Sequence, residues 1–272
     1  MEVAFHRCLH GQLETAYETL KTIERKSGIL IDFVIVAGDF QAIRNEEDLS
    51  FMVCPPKYRQ MGTFFKYYNG ELLAPYLTYY VGGNHEASNF HAELPEGGWV
   101  APNIFYMGYC GVVESHGLRI AGISGIYNNH HHRASAATSM YHVRECDIDA
   151  LIKMAGDDAN GMIDILISHD WPRNITDHGN VRKLLWKKRF LKNDIRSRLL
   201  GNPGATRLMK ALKPRYYFAA HLHTKFAALV EHDNDGCHCT RFLALDKVVP
   251  GRDFVQILEI PTSSANNKSR KG

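Results

Sequence analysis

Hydrophobic residues in the first third of the chain alternate between the spacing of strands and the spacing of helices. Short apolar runs at residues 2–5, 32–37 and 77–81 end at polar residues or glycine, which predicts three buried strands. Residues 12–25 carry apolar side chains three or four positions apart, and a proline opens residues 56–69, so we expect a helix in each segment. Strands that alternate with helices are typical of a parallel sheet covered by helices.

Short strands dominate the rest of the chain. The predicted strands lie at residues 104–106, 112–114, 118–121, 163–167, 216–219, 226–230, 240–244 and 254–260. The predicted helices lie at residues 141–154, 181–200 and 204–212. Because strands close the chain, we expect a second sheet that packs on the first, with both sheets between layers of helices. The predicted fold class is α/β.

Composition and charge limit the class of protein to which this chain can belong. The hydrophobic fraction of 45% and the charged fraction of 22% are ordinary for a globular protein. The net charge is only +3, so any nucleic-acid site must be a local patch. The longest apolar run, residues 29–38, contains Asp32 and is too short to span a bilayer. Six scattered cysteines indicate free thiols in a reducing compartment.

Side chains that bind metals recur where predicted strands end. They are Cys8 and His10, Asp39, Asn84 and His85, His169, and His221 and His223. In open α/β sheets the site forms beyond the carboxyl ends of the strands, so we expect these five segments to converge. A carboxylate can bridge two cations while imidazoles and an amide oxygen complete each shell, which favours a centre with two metals.

Each of these pieces also has an ordinary structural interpretation. His-x-His is common in strands, and Gly-Asp or Asn-His after glycine is common in turns. Five such pieces in this order favour the metal centre. The histidines at 130–132 and the residues at 237–239 are interpreted as polar loops, and His142 and His178 stay ambiguous. The basic run at 182–198 is either a solvated helix face or a candidate for contacts with nucleic-acid phosphates.

The ordered motifs at 38–39, 83–86, 168–169 and 221–223 resemble the signature of the calcineurin-like metallophosphoesterases. That family usually begins with Asp-x-His, whereas this chain has Cys8-Leu9-His10, and cysteine at this position is a mark of lariat debranching enzymes. Further segments are similar to that narrower family, at residues 38–44, 55–58, 82–86, 103–108, 141–144, 168–172, 221–223 and 241–247. The resemblance runs from about residue 3 to residue 260.

The resemblance implies a metallophosphoesterase-type four-layer α-β-β-α sandwich, with two mixed sheets flanked by helices. It implies a catalytic domain at 1–260, a short segment at about 126–142 similar to the lariat-recognition loop, and a disordered polar tail at 261–272. By position, one metal would be bound by Cys8, His10, Asp39 and His223. The other would be bound by Asp39, Asn84, His169 and His221. A thiolate ligand favours Fe²⁺ or Zn²⁺ over Mg²⁺, with Mn²⁺ as a possible substitute.

The resemblance also implies a reaction, in which the 2′–5′ phosphodiester bond at the branch point of an excised intron lariat is hydrolysed. His85 is the candidate general acid, and an orienting role is the alternative. The candidate substrate contacts are Lys57, Tyr58, Tyr127, Tyr141 and Arg144. The alternative for each of these five residues is an ordinary structural position in the core or on the surface, without contact to a substrate. The expected partner is branched RNA, and we expect a monomer with no membrane association. The resemblance implies a nuclear location, and the alternative is the cytoplasm.

Two features depart from the family, and two other functions stay open. Arg7 stands where the family usually has glycine, and residues 126–141 are fewer than is usual. One alternative is another dinuclear metallophosphoesterase, acting on phosphoproteins or nucleotides. The other alternative is a metal-free scaffold of the same fold.

Overall fold

The twelve strands of the computed structural model, which describes residues 1–133, 141–156, 162–232, 238–246, 248 and 253–261, form two sheets of six. In chain order they are β1 (Glu2–His6), β2 (Phe33–Ala37), β3 (Thr78–Val81), β4 (Gly98–Ala101), β5 (Ile104–Tyr106), β6 (Cys110–Ser115), β7 (Leu118–Ile123), β8 (Ile165–Ser168), β9 (Tyr216–Ala219), β10 (Phe226–Glu231), β11 (Cys239–Ala244) and β12 (Val255–Glu259). The predicted disordered tail lies outside the described residues from 262 onward.

The described α-helices are α1 (Leu13–Ser27), α2 (Phe64–Tyr68), α3 (Ser88–Ala92), α4 (Glu145–Gly156), α5 (Val181–Lys187), α6 (Lys192–Arg196) and α7 (Pro203–Leu212). Short 3₁₀ turns lie at Asp48–Phe51, Pro56–Tyr58, Ile175–His178 and Arg189–Leu191. The local sequence explains where several of the helices begin or end. α1 stops at Gly28, whose φ of 73° favours glycine, and α7 starts after Asn202, whose side chain accepts hydrogen bonds from the first turn. None of the described helices has the length and apolar character needed to cross a membrane.

Parallel strands form the centre of both sheets. The first sheet has the order β12-β1-β2-β3-β5-β4, in which β1, β2, β3 and β5 are parallel and the two edge strands are antiparallel to their neighbours. The second has the order β10-β11-β9-β8-β7-β6, in which β11, β9, β8 and β7 are parallel. Both sheets are mixed, as predicted.

The two sheets pack face to face through alternate residues of their strands. Phe5, Ile35 and Phe218 belong to a buried cluster between the sheets, and the rings of Phe5 and Phe218 stack with centroids 4.4 Å apart. The intervening residues Ala4 and Val34 belong instead to the cluster on the outer face of the first sheet, together with residues of α1 and α2. A third cluster joins the second sheet to α4 and α7. Apolar residues on both faces are expected of strands that are buried on both sides. The four layers of the fold are therefore helices, first sheet, second sheet and helices.

Three predicted helices differ from the structure. Residues 56–69 form only a 3₁₀ turn and the short α2, because the backbone of Gly62 packs against that of Gly11. The predicted helix 181–200 is broken at Lys188, whose φ of −134° is not helical. α4 starts at residue 145 rather than 141, because His142 instead bridges to Ile126 in an isolated β-bridge. Patterning also missed β4 and α3.

Candidate metal centre

Five loops that follow parallel strands bring the predicted ligands to one edge of the sandwich. Three loops leave the first sheet after β1, β2 and β3, and two leave the second sheet after β8 and β9. They carry Cys8 and His10, Asp39, Asn84 and His85, His169, and His221 and His223. The site therefore lies across the junction of the two sheets, at the carboxyl ends of their parallel strands.

Cys8, His10, Asp39 and His223 form a tight group of donor atoms, all within 4.8 Å of one another. Nε2 of His10 lies 3.3 Å from Nε2 of His223 and 3.8 Å from Oδ2 of Asp39. Cys8 and Asp39 are buried, whereas the two histidines are partly exposed. The resemblance implied this same set for the first metal. Their role as ligands stays a prediction, but a thiol, two imidazoles and a carboxylate at such distances suit a divalent cation.

His169 lies beside the other carboxylate oxygen of Asp39 and beside the side chain of Asn84. Nε2 of His169 is 3.5 Å from Oδ1 of Asp39 and 3.2 Å from Oδ1 of Asn84. The ring of His221 lies beside that of His169, with centroids 5.2 Å apart. Asp39 thus presents one oxygen to each group of donors, which is the arrangement that a bridging carboxylate needs.

The tautomer of His169 provides a test of whether a cation fits here. Nδ1 of His169 lies 2.8 Å from the carbonyl oxygen of Ala37, which can only accept a hydrogen bond, so the proton is on Nδ1. Burial lowers the pKa of His169 to about 4, so the ring is neutral at neutral pH. Its Nε2 lone pair then faces the oxygens of Asp39 and Asn84. Lone pairs that face one another repel unless a cation lies among them, and metal-ligating histidines commonly donate their other N–H in this way.

Several of these side chains stand on backbone in the left-handed region. The φ angles are 46° for His10, 45° for Asp39, 63° for His221 and 48° for His223. Residues other than glycine rarely adopt this region, and such conformations concentrate at functional sites. The loops therefore hold these side chains at a conformational cost, which indicates that their orientation matters more than local stability.

Two glycines allow the loops to approach one another closely. A Cβ on Gly38 would lie 2.2 Å from Nδ1 of His169, and a Cβ on Gly83 would lie 2.2 Å from Oδ1 of Asp39. Any larger residue would push a donor away from its neighbours. The Gly-Asp and Gly-Gly-Asn motifs thus have a steric reason for their glycines in addition to the turn.

The buried carboxylate of Glu86 joins the loops after β2 and β3. It accepts hydrogen bonds from the backbone N–H groups of Phe40 at 2.8 Å, Gln41 at 2.7 Å and Gly83 at 3.0 Å. Burial raises the pKa of Glu86 to about 7, and the nearby charge of Asp39 acts in the same direction. Sequence reasoning did not assign this role, because nothing local to Glu86 shows that backbone amides from another loop surround it.

Burial and charge act differently on the two acidic donors. Burial raises the pKa of the Cys8 thiol to about 12, although the nearby Arg7 guanidinium opposes the shift. Burial also opposes ionisation of Asp39, but the imidazoles that face it outweigh this effect and hold its pKa below the ordinary value. Without a cation the site therefore has a carboxylate and a protonated thiol. A coordinated cation would deprotonate the thiol.

Arg7 is fully buried beside Cys8. Its φ is not positive, so the backbone here does not require the glycine that the family usually has. One guanidinium nitrogen donates to the carbonyl oxygen of Leu245, whereas Nε and Nη2 have no hydrogen-bond partner among the described residues. The nearby acids are Asp246 and Asp39. This chain therefore holds a cationic side chain directly behind the thiol donor.

A cavity of about 480 Å³ opens in front of the site and is lined by His10, His85 and His223. The backbone N–H of His85 donates to Asp39 at 3.0 Å, and its ring centroid is 5.8 Å from that of His10. Tyr58 lines the same cavity and is 58% exposed. Nζ of the neighbouring Lys57 lies 4.9 Å from the centre of the Tyr58 ring. The structure therefore places two of the six predicted catalytic and substrate-binding residues, Tyr58 and His85, at this cavity, and Lys57 lies beside Tyr58.

The other three predicted substrate contacts are already engaged elsewhere. The guanidinium of Arg144 makes two hydrogen bonds to Asp147, at 2.9 and 2.8 Å, so the structure gives no support for a phosphate contact. Tyr127 is partly buried, with its N–H bonded to Asp170 at 3.1 Å. Tyr141 is partly buried beside the ring of His142. Residues 134–140 of the segment at about 126–142 lie outside the described residues.

Two sequence models match the chain. The model described as calcineurin-like phosphoesterase matches residues 8–225, and the model described as the C-terminal domain of lariat debranching enzyme matches residues 237–272. The chain is also similar to a solved structure with a TM-score of 0.55 and 13% sequence identity, covering 96% of this chain and 99% of that one. At that identity the similarity supports the fold alone.

Curated relatives have the name that appears in the second of these models, and they align with nearly the whole chain. The chain is 49% identical over 274 residues to the lariat debranching enzyme of Homo sapiens, which covers 96% of this chain and 49% of that protein. It is 50% identical over 279 residues to that of Caenorhabditis briggsae, covering 97% of this chain and 55% of that protein. The chain thus spans about half the length of these relatives. With a family model that matches most of its residues and a site on the expected strand ends, the chain belongs to the calcineurin-like phosphoesterase family.

Proposed function

We propose that this protein hydrolyses the 2′–5′ phosphodiester bond at the branch point of excised intron lariats. The observation that carries the proposal is the group of Cys8, His10, Asp39 and His223, because its thiol stands where calcineurin-like metallophosphoesterases usually have a carboxylate. The relatives named lariat debranching enzyme, at 43–50% identity over 96–99% of this chain, support the same substrate.

The donors define where two divalent cations would be held. Cys8, His10, Asp39 and His223 would hold one, and Asp39, Asn84, His169 and His221 the other. Such cations acidify water and offset negative charge on phosphoryl oxygens. Fe²⁺ and Zn²⁺ fit best because a thiolate is a soft ligand, and Mn²⁺ is a possible substitute.

His85 is the proposed general acid. Its backbone is fixed by Asp39, while its imidazole lines the cavity in which the substrate would lie. In hydrolysis, the oxygen of a water molecule bonds to phosphorus and a proton of that water passes to solvent, while the bond between phosphorus and the 2′ oxygen breaks. The leaving 2′ oxygen takes a proton from His85, which later regains a proton from solvent, and the phosphate stays on the 5′ end of the released strand. Proton transfer of this kind contributes about 10²–10⁴-fold to rates.

Tyr58 and Lys57 are the proposed contacts to the branch nucleotide. An exposed ring at the mouth of the cavity can stack on a splayed base, and the ammonium group beside it can bind a phosphate. Tyr127 and Tyr141 are partly buried, so each has less ring surface available for stacking.

The test is cleavage of a synthetic branched RNA by protein that has been stripped of metal and reloaded with Fe²⁺, Zn²⁺ or Mn²⁺. A phosphoprotein and a cyclic nucleotide serve as competing substrates. We expect release of a linear RNA with a free 2′-hydroxyl from the branched substrate alone. If the loaded protein leaves the branch intact, the debranching proposal is wrong, and well under one metal per chain would instead favour a metal-free scaffold.

The variant His85→Ala separates chemistry from metal binding in the same assay. Turnover should fall by about 10²–10⁴-fold while the metal content stays at the wild-type level. Unchanged turnover would exclude His85 as the acid. A fall in both turnover and metal content would indicate an orienting role for His85.

We further propose a catalytic domain at residues 1–260, a nuclear location and a monomeric state. The location follows from the substrate, and microscopy of a tagged full chain tests it. Light scattering on the purified protein tests the monomer. Limited proteolysis tests the domain boundary, since cleavage should concentrate within residues 261–272 if that stretch is a disordered tail.

A further inference from the structure

The segment 181–198 has a charge unlike that of the rest of the chain. It contains eight lysines and arginines and one acidic residue, Asp194. The remaining residues contain 24 basic and 28 acidic side chains, so they are net negative although the whole chain is at +3. We name the outward side of this segment the 181–198 surface. Its basic residues are Arg182, Lys183, Lys187, Lys188, Arg189, Lys192, Arg196 and Arg198.

Most of these cations are not used within the fold. Arg198 lies 3.6 Å from Asp177 in a solvent-exposed pair. Six others are exposed and have no ion-pair partner in the part of the chain that the structure describes: Arg182, Lys183, Lys187, Arg189, Lys192 and Arg196. By contrast, the basic side chain of Arg44 elsewhere in the chain pairs with a nearby carboxylate, Asp48.

Two aromatic rings are exposed among these cations. Trp186 is 75% exposed and Phe190 is 70% exposed. Nζ of Lys188 lies 5.8 Å from the centre of the Phe190 ring. Exposed aromatic rings among exposed cations suit a ligand that is both aromatic and anionic.

The 181–198 surface is fixed to the core that also supports the metal centre. Leu184 and Leu191 are buried in the cluster that contains Trp171, two residues after His169. The break at Lys188 divides the segment into α5, a 3₁₀ turn and α6, so the surface is made of short rigid pieces. The positions of Trp186 and Phe190 are thereby tied to the same sheet whose loops carry His169, His221 and His223.

We propose that the 181–198 surface binds single-stranded RNA, with bases stacked on Trp186 and Phe190 and phosphates bound by the surrounding cations. Proteins that bind single strands combine stacking rings with a positively charged track in this way. A protein partner would have to supply many carboxylates together with an apolar patch, whereas single-stranded RNA offers phosphates and exposed bases along its whole length. The identity of the RNA as the intron beside the branch rests on the proposed function, while the binding chemistry does not.

The first experiment measures binding of a fluorescently labelled linear RNA, which contains no branch, to the full chain. Trp186→Ala/Phe190→Ala should weaken binding by at least about fivefold for each stacked base that is lost, or about 25-fold for both. Lys187→Glu/Arg189→Glu should weaken binding and reduce the slope of log K against log salt by about 0.7 for each phosphate that is no longer bound. All four substituted side chains are exposed, and thermal unfolding checks that the variants fold.

Two matched controls carry the same kinds of change elsewhere. Trp99→Ala removes another exposed ring, which is 60% exposed on β4, and Lys26→Glu/Lys153→Glu makes the same charge change at exposed positions on α1 and α4. These controls should bind linear RNA as the wild type does. Equally weakened binding in the controls, or wild-type binding by the surface variants, would overturn the proposal. Failure of the wild type to bind linear RNA at low salt would also overturn it.

A second measurement separates this proposal from the debranching proposal. With a branched RNA that carries a long single-stranded arm, the surface variants should raise KM and leave kcat unchanged. With a short branched core, they should match the wild type. Binding of linear RNA that depends on Trp186 and Phe190, without cleavage of any branch, would support the surface and defeat debranching. If both surface variants cleave long branched substrates as the wild type does, debranching is supported and the RNA-binding role of the 181–198 surface is overturned.

Discussion

Replacement of Gly83 by alanine should disable the metal centre without unfolding the protein. The new Cβ would lie 2.2 Å from Oδ1 and 2.4 Å from the backbone nitrogen of Asp39. To reach even 3.0 Å, the loops must separate by at least about 0.8 Å. Asp39 faces both groups of donors, so a shift of this size moves the one side chain that the two predicted cations share. A misplacement of about 1 Å can cost about 10²-fold in rate.

The expected result is a fall of about 10²-fold in cleavage of branched RNA, together with a decrease in bound metal. Metal content by mass spectrometry and single-turnover cleavage measure the two effects. Overpacking should also lower the free energy of unfolding by about 1–3 kcal/mol, which a urea titration measures. Gly156→Ala is the matched control, because a Cβ at the end of α4 meets nothing within 4 Å. If Gly83→Ala keeps wild-type metal content and turnover within about threefold, the steric reasoning is refuted.

Two further changes test other donors and supports of the site. Cys8→Asp should shift metal preference toward Mn²⁺ or Mg²⁺, because a hard oxygen replaces a soft sulfur, and competition between metals in an affinity assay measures this. An unaltered metal profile would remove Cys8 from the ligand set. Glu86→Gln leaves one acceptor oxygen for three backbone N–H groups, so the free energy of unfolding should fall by about 1–3 kcal/mol in a denaturant titration. An unchanged value would mean that the carboxylate does not join the two loops.

The elements predicted best from sequence are those whose patterns are local. β5 and β9 have the same bounds in the prediction and in the structure, at Ile104–Tyr106 and Tyr216–Ala219. Both are short runs of apolar and aromatic residues, which favour strands. Each run is followed within two positions by glycine or alanine, so the residue types also indicate where the strand ends. The positions of the predicted metal ligands directly after the strands could be predicted from sequence for the same reason. They depend on where strands end, and glycine marks several of those ends.

The elements predicted worst are those that distant contacts decide. Residues 181–200 have helical spacing throughout and contain no proline or glycine before Gly201, yet the helix breaks at Lys188. Leu184 and Leu191 both reach the same outer core, and the break lies between them. The interruption near Gly62 likewise depends on Gly11, which lies far away in sequence. Helix propensity is a weak prior, and packing overrides it in both places.

Within the site, donor types were predictable but supports were not. Asp39 and His169 are recognisable because their residue types suit a metal and follow strands. Glu86 and Arg7 were not recognisable, since their functions depend on groups brought in by other loops: backbone amides around Glu86, and the carbonyl of Leu245 against Arg7. A sequence shows which chemistry is available, whereas the partners of a buried charge appear only once the chain is folded.

The predicted metal centre lies at the carboxyl edge of the apolar cluster between the two sheets, a cluster that includes Cys8. Between the sheets, rings such as Phe5 and Phe218 stack directly, but at the carboxyl edge the first sheet presents Cys8 and Asp39 while the second presents His169 and His223. Asp39 and His223 are held by strained backbone, and Nε2 of His169 faces an oxygen of Asp39 across the seam. Two cations held by these donors would turn repulsion between facing lone pairs into attraction across the seam. Because ligands from both sheets would share the same ions, the free energy of metal binding would also join the two sheets and would help to keep His85 and the other side chains of the site in place.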